Sequence, residues 1–177
     1  MNVEDLKARL GDYAKDIMLN LGTVLTEDGA PGLITTQIFG TALASAYATR
    51  NNDVIAALEG EATGKLDPAT IRAAKAAATI MAMNNIYYRF LHNVRDEDLH
   101  KLPAKLRMTI IANSGIAKLD FELMSLAVSA INGCGMCMEA HTHEIDKAGL
   151  DKIGIQSVIR IAAVINAAAQ GVVINRD

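Results

Sequence analysis

Apolar side chains recur at three- and four-residue intervals from the first turn of the chain: Val3, Leu6, Leu10, Tyr13, Ile17 and Leu21. That spacing predicts one amphipathic helix over 3–21. A polar, glycine-containing link (Thr26 to Gly32) precedes a helix over about 33–49 that ends near Arg50-Asn51-Asn52. Another covers 53–63 and stops at Gly64. Asp67-Pro68 reads as the cap and first-turn proline of a long helix toward Phe90. Short helices are expected over 95–101 and 105–111, around Pro103, and Asn113-Ser114-Gly115 marks a turn. Asp120 is placed to cap a helix to Ile131, closed by Asn132-Gly133. The next runs over about 134–148 and stops at Gly149, and Asp151 caps the last, to about Val172. No segment has the two-residue alternation of a strand. An all-α domain over 1–177 is expected.

The pattern has an internal echo. Leu66-Asp67 matches Leu150-Asp151, and Ile71 to Met81 matches Ile155 to Ile165 in apolar pattern, both at an offset of 84. Two related helical halves follow: a scaffold half, about 1–112, and a half with the chemistry, about 113–177. At that offset Arg50 and Asp53 stand where the second half has Cys134 and Cys137.

Composition narrows the reading. Hydrophobic residues make up 51% of the chain but aromatics only 4%, so alanine carries much of the apolar content and favours helix. A mean hydropathy of +0.19 is high for a monomer and predicts helix faces buried against partner subunits. A net charge of −3 gives no basic footprint for nucleic acid. The segment from Ile153 to Ile174 is the most hydrophobic, but Gln156, Arg160, Asn166 and Gln170 interrupt it, which points to a buried helix over a membrane span. The first 21 residues do not read as a signal peptide, and a cytoplasmic protein is expected. Thiols are kept reduced there, which favours redox or metal chemistry for a close cysteine pair.

The chain's two cysteines form such a pair, Cys134-Gly135-Met136-Cys137, with His141 one helical turn on. Asn132-Gly133 stops the preceding helix, so Cys134 falls at the first turn of the next. Free amide N–H groups and the positive end of the helix dipole lower a thiol's pKa there. Cys134, Cys137 and His141 share one face, with neighbouring Cβ atoms about 5–6 Å apart. A dithiol that opens and closes is the first reading. Structural zinc on Cys134, Cys137, His141 and His143 is the second, weakened because His143 turns to another face and no second cysteine pair completes a site.

The run Glu122-x11-Cys134-x-x-Cys137-x3-His141 resembles the active-site signature of the AhpD alkylhydroperoxidases, within the carboxymuconolactone decarboxylase-like superfamily. Tyr13-Ala14-Lys15-Asp16, Met81-Ala82-Met83-Asn84-Asn85, Leu106-Arg107-Met108 and Phe121-Glu122-Leu123 extend the likeness over most of the chain. The resemblance implies an all-α homotrimer with antioxidant peroxidase activity on alkyl hydroperoxides and no bound cofactor. The implied reductant is the lipoyl group of an adaptor protein, dihydrolipoyl succinyltransferase, recharged by dihydrolipoamide dehydrogenase and NADH. Carried over by position, Cys137 is the peroxidatic thiol, Cys134 the resolving one, and Glu122 with His141 the proton relay. One departure stands out: Met136 lies where such proteins can carry a histidine. Two other functions are kept beside this one, a disulfide-exchange or redox-sensing module and a decarboxylase-like enzyme that does not use the cysteines.

Overall fold

Two helices with almost no polar face form the centre of the molecule. α3 (Thr35–Thr49) buries every residue from Ile38 to Ala46, and α8 (Lys118–Asn132) every residue from Phe121 to Ser129. A helix that is apolar nearly all round has to be enclosed, and these two pack on each other. Around them, in the computed structural model, which describes residues 1–94 and 96–175, lie α1 (Val3–Lys7), α2 (Lys15–Val24), α4 (Asn52–Ala62), α5 (Pro68–Val94), α6 (Glu97–Lys101), α7 (Thr109–Ala112), α9 (Gly135–Lys147) and α10 (Lys152–Ile174). No strand occurs among the described residues. The all-α class is as the sequence predicts.

α10 is long and apolar enough to cross a membrane by length and composition alone, with half of its most apolar window buried. Val158, Ile161, Ala162 and Ile165 are at most 1% exposed, and the helix packs on α2, α3 and α8. It is a core helix here.

Several local expectations change. The first helix is broken in two: α1 ends at Lys7, Gly11 is extended, and a 3₁₀ turn over Asp12–Ala14 leads into α2. A Cβ on Gly11 would come within 2.3 Å of the Tyr13 ring. The break turns Tyr13 outward to 58% exposure, with its hydroxyl donating to the Gly171 carbonyl, while Val3, Leu6, Leu10 and Leu21 stay buried. The helix over 105–111 shrinks to Thr109–Ala112, because Lys105 has a left-handed φ of 49° that a right-handed helix excludes. The helix over 95–101 begins at Glu97 behind an Asp96 cap; Arg95 lies outside the described residues. Asp120 is not a cap. α8 starts at Lys118, and Asp120 sits in its first turn, accepting a hydrogen bond from Gln37 Nε2 at 2.8 Å and so tying α8 to α3. Asp67 and Asp151 do cap, accepting from the amides of Thr70 and Gly154 at 2.8 Å each.

α3 and α8 are each 15 residues long, starting at 35 and 118, an offset of 83. Each ends on a left-handed residue, Arg50 (φ 59°) and Gly133 (φ 70°). Over this pair the offset is 83, whereas the caps Asp67 and Asp151 and the starts of α5 and α10 keep the 84 read on the sequence. Asn51 and Val54, not Arg50 and Asp53, are the counterparts of Cys134 and Cys137, because the helix-ending turn sets the alignment.

Candidate active site

Cys134 is the N-cap of α9, one position before its first turn. Its sulfur accepts the amide hydrogen of Cys137 at an N–S distance of 3.3 Å, as Asn51 Oδ1 accepts from the amides of Asp53 and Val54 at the head of α4. A left-handed Gly133 just before it makes the turn out of α8. The two cysteines are joined as a disulfide, with Cα atoms 5.3 Å apart. Both are buried, Cys134 completely and Cys137 to 6% exposure, deeper than the head of a helix usually lies. Cys137 lines a cavity of about 310 Å³ with Met81, Asn84, Tyr88, Met108, Ile111, Met136, Ala140 and His141.

His141 follows one turn later and is 9% exposed. Its Nδ1 lies 2.6 Å from Glu122 Oε2, and its Nε2 lies 3.3 Å from the Met81 sulfur. Glu122 is the one charged side chain in the buried stretch of α8 and is 5% exposed. In the first half the matching positions are Phe39, Val54 and Leu58, all buried and apolar. The second half thus carries a carboxylate, a thiol and an imidazole where the first carries plain core. Glu122 also borders a second cavity of about 680 Å³, beside Ser114, Lys118 and Glu144. At its rim the Lys118 ammonium and Glu144 carboxylate pair across α8 and α9. Their hydrogen bond, then their charge attraction, lowers the Glu144 pKa and raises that of Lys118.

The structure brings Cys134, Cys137, His141 and Glu122 into one buried cluster. It leaves His143 exposed on another face of α9, and His92 and His100 at the surface. No cluster of three or more His, Cys, Asp or Glu side chains among the described residues is arranged to hold a metal ion. Sequence reading missed Met81 and Asn84 as parts of the site. Met81 passes for core filler, and what distinguishes it is the imidazole its sulfur touches. Met136 lines the cavity wall.

Alkyl hydroperoxide reductase AhpD of Coxiella burnetii (strain Dugway 5J108-111) is 58% identical over 168 residues, 95% of each chain. The chain belongs to the AhpD family. The Rhodospirillum centenum protein of the same name is 55% identical, over 96% of this chain and 89% of its own. That of Brucella abortus (strain 2308) is 48% identical, over 96% and 95%. The carboxymuconolactone decarboxylase family matches residues 97–172, which hold all four clustered side chains and place AhpD within that wider superfamily. Within this AhpD chain Cys137 and His141 line one cavity, with Cys134 buried behind Cys137 and Glu122 behind His141.

Proposed function

We propose that this chain reduces alkyl hydroperoxides, with Cys137 as the thiol that meets the peroxide, Cys134 as the thiol that resolves it, and the His141–Glu122 pair as the store for the proton. One observation carries the reading: Cys137 shares its cavity with an imidazole that is itself held on a buried carboxylate. The relatives carry the same activity in their names.

The buried His141–Glu122 hydrogen bond is where the transferable proton is kept in the reduced enzyme, and the His141 ring also touches the Met81 sulfur at the cavity wall. In the reduced enzyme Cys137 acts as the thiolate, in the first turn of α9 and in one cavity with His141. Sulfur attacks the terminal peroxide oxygen, the O–O bond breaks, and the leaving alkoxide takes the stored proton. General acid help of this kind contributes about 10²–10⁴-fold. Cys134 then condenses with the Cys137 sulfenic acid, giving the disulfide and water. An external dithiol reduces the disulfide, and its two protons return to Cys134 and to the pair. Glu122 exchanges protons with solvent through its second cavity.

The reductant is a lipoyl dithiol on an adaptor protein of the dihydrolipoyl succinyltransferase kind. What supports this is burial: Cys134 is fully buried and Cys137 is 6% exposed behind an apolar cavity, so a dithiol on a slender chain reaches them more readily than the surface of a folded thiol protein. The same burial disfavours a general disulfide-exchange module. Assembly as a homotrimer in the cytoplasm completes the reading.

The test is stopped-flow oxidation of the dithiol-reduced protein by cumene hydroperoxide. Wild type should show a sulfenate and then a disulfide. Cys137→Ser should consume no peroxide, and Cys134→Ser should consume one equivalent and trap the sulfenate. Opposite behaviour of the two variants reverses the roles. An unreactive wild type removes the peroxidase and leaves the decarboxylase-like alternative.

A further inference from the structure

Within the Cys137 cavity one polar group has nothing to bind. Asn84 is 5% exposed, and its Oδ1 has no hydrogen-bond partner. It lies on α5 three residues beyond Met81, so the two side chains share a helix face, and both border the cavity with Cys137 and His141. His141 already has both ring nitrogens engaged. The neighbouring Asn85 shows what a structural asparagine does at this place. Its Nδ2 donates to Ser129 Oγ at 2.9 Å and its Oδ1 accepts from Asn132 Nδ2 at 3.0 Å, which fixes α5 to α8. Asn84 does no such work. A buried carbonyl oxygen left unpaired is costly to folding, and asparagine is a poor residue for a helix interior. Its natural partner is a donor that arrives with a ligand.

We infer that Asn84 orients the substrate: its Oδ1, covered in the disulfide form, accepts a hydrogen bond from the terminal O–H of the hydroperoxide once the cysteine pair is reduced. This rests on the peroxidase reading above. In that reaction the terminal oxygen keeps its hydrogen. The S–O bond forms at that oxygen, the O–O pair of electrons leaves on the alkyl oxygen, and the alkyl oxygen takes its proton from the His141–Glu122 pair. The O–H held by Asn84 Oδ1 therefore passes intact into the Cys137 sulfenic acid, and the amide binds it before and after the transfer. Anchoring that hydrogen turns the terminal oxygen toward sulfur and the alkyl oxygen toward His141. The apolar remainder of the wall, Met108, Ile111 and Met136, takes the alkyl group.

Asn84→Leu tests this, because leucine has a similar size and removes the unpaired oxygen. Oxidation of Cys137 by cumene hydroperoxide, followed by stopped flow, should slow about tenfold, the effect of one lost hydrogen bond to a buried group. Reduction of the disulfide by dihydrolipoamide, which involves no peroxide O–H, should slow by much less than oxidation does, although the dithiol enters the same cavity. The melting temperature should equal or exceed that of wild type, since an orphaned polar atom has gone. Wild-type oxidation kinetics in Asn84→Leu overturn the inference. So does a lower melting temperature with both half-reactions slowed equally, which marks a structural residue. Should the leucine variant not fold, Asn84→Ala asks for no extra space and is read by the same two rates. A wild type that ignores peroxide is a separate result, which ends the peroxidase reading before any variant is made.

Discussion

Glu122 is one carboxylate in a row of buried residues along α8, and its partner is the imidazole that stands next to the thiol. Replacing it with glutamine keeps the size and the hydrogen bond but removes the site where a proton is stored. Glu122→Gln should lower the rate of peroxide reduction by about 10²-fold or more. It should also flatten the pH–rate profile, while the melting temperature stays near wild type. A profile identical to wild type would take Glu122 out of the relay. Met81→Leu is the complementary change. A Leu–Met exchange in a core is tolerated to within about 1.5 kcal/mol, so a slower reaction with a near-normal melting temperature would show that the thioether's contact with the ring matters. Cys134, Cys137 and His141 were readable in the sequence because helical spacing alone puts them together. The Glu122 contact spans 19 residues and two helices, so only the longer signature pointed to it. Asn84 was not readable, because an unpaired oxygen is visible only when its surroundings are known.

At the scale of elements, the turn between α8 and α9 decides where Cys134 sits. Gly133 holds a φ of 70°, a conformation costing most residues about 1–2 kcal/mol. Gly133→Ala should lower stability by about that amount, read as a shift in the urea midpoint, and should slow peroxide oxidation by displacing the cap. A second link is the Lys118–Glu144 pair, which joins the start of α8 to α9. The Glu144 pKa is lowered in the folded state, so its contribution is present above the ordinary carboxylate value of 4.5 and is lost as the pH falls through the lower folded value. That of Lys118 is raised, so its contribution is full below 10.5 and is lost as the pH rises through the higher folded value. Between these limits Glu144→Gln should lower the urea midpoint, and the difference from wild type should vanish in strong acid. Both groups are exposed, so the gap should also shrink in high salt. A gap that persists in acid would show that the variant acts through packing. Helix positions were legible from periodicity, and their ends less so. Gly11 and Lys105 break helices through backbone conformations that apolar spacing does not record. The shift in register between α3 and α8 likewise came from a turn and not from side-chain resemblance.

At the scale of the molecule, α5 carries the site at its middle and a bare apolar stripe at its end. Ile86, Phe90 and Val94, four residues apart along one face, are 63%, 50% and 46% exposed. Beyond Asn85 the helix buries only Leu91, so its last turns have little core of their own to hold them. In the proposed homotrimer a second copy of the chain covers that stripe, in keeping with the high mean hydropathy. Sedimentation velocity at micromolar concentration should give a particle about three times the 18.9 kDa chain mass. Phe90→Glu, which places a charge in the stripe, should give monomers. Amide exchange in the monomers should quicken over residues 86–94 first, because those turns lose their cover while α3 and α8 keep theirs. Met81, Asn84 and Tyr88 lie on the same rod, so the loosening should reach the cavity, and peroxide oxidation in the Phe90→Glu monomer should be slower than in the assembled wild type. A wild type that sediments at the mass of one chain would leave the stripe without a partner and remove assembly from the account of how the site is held.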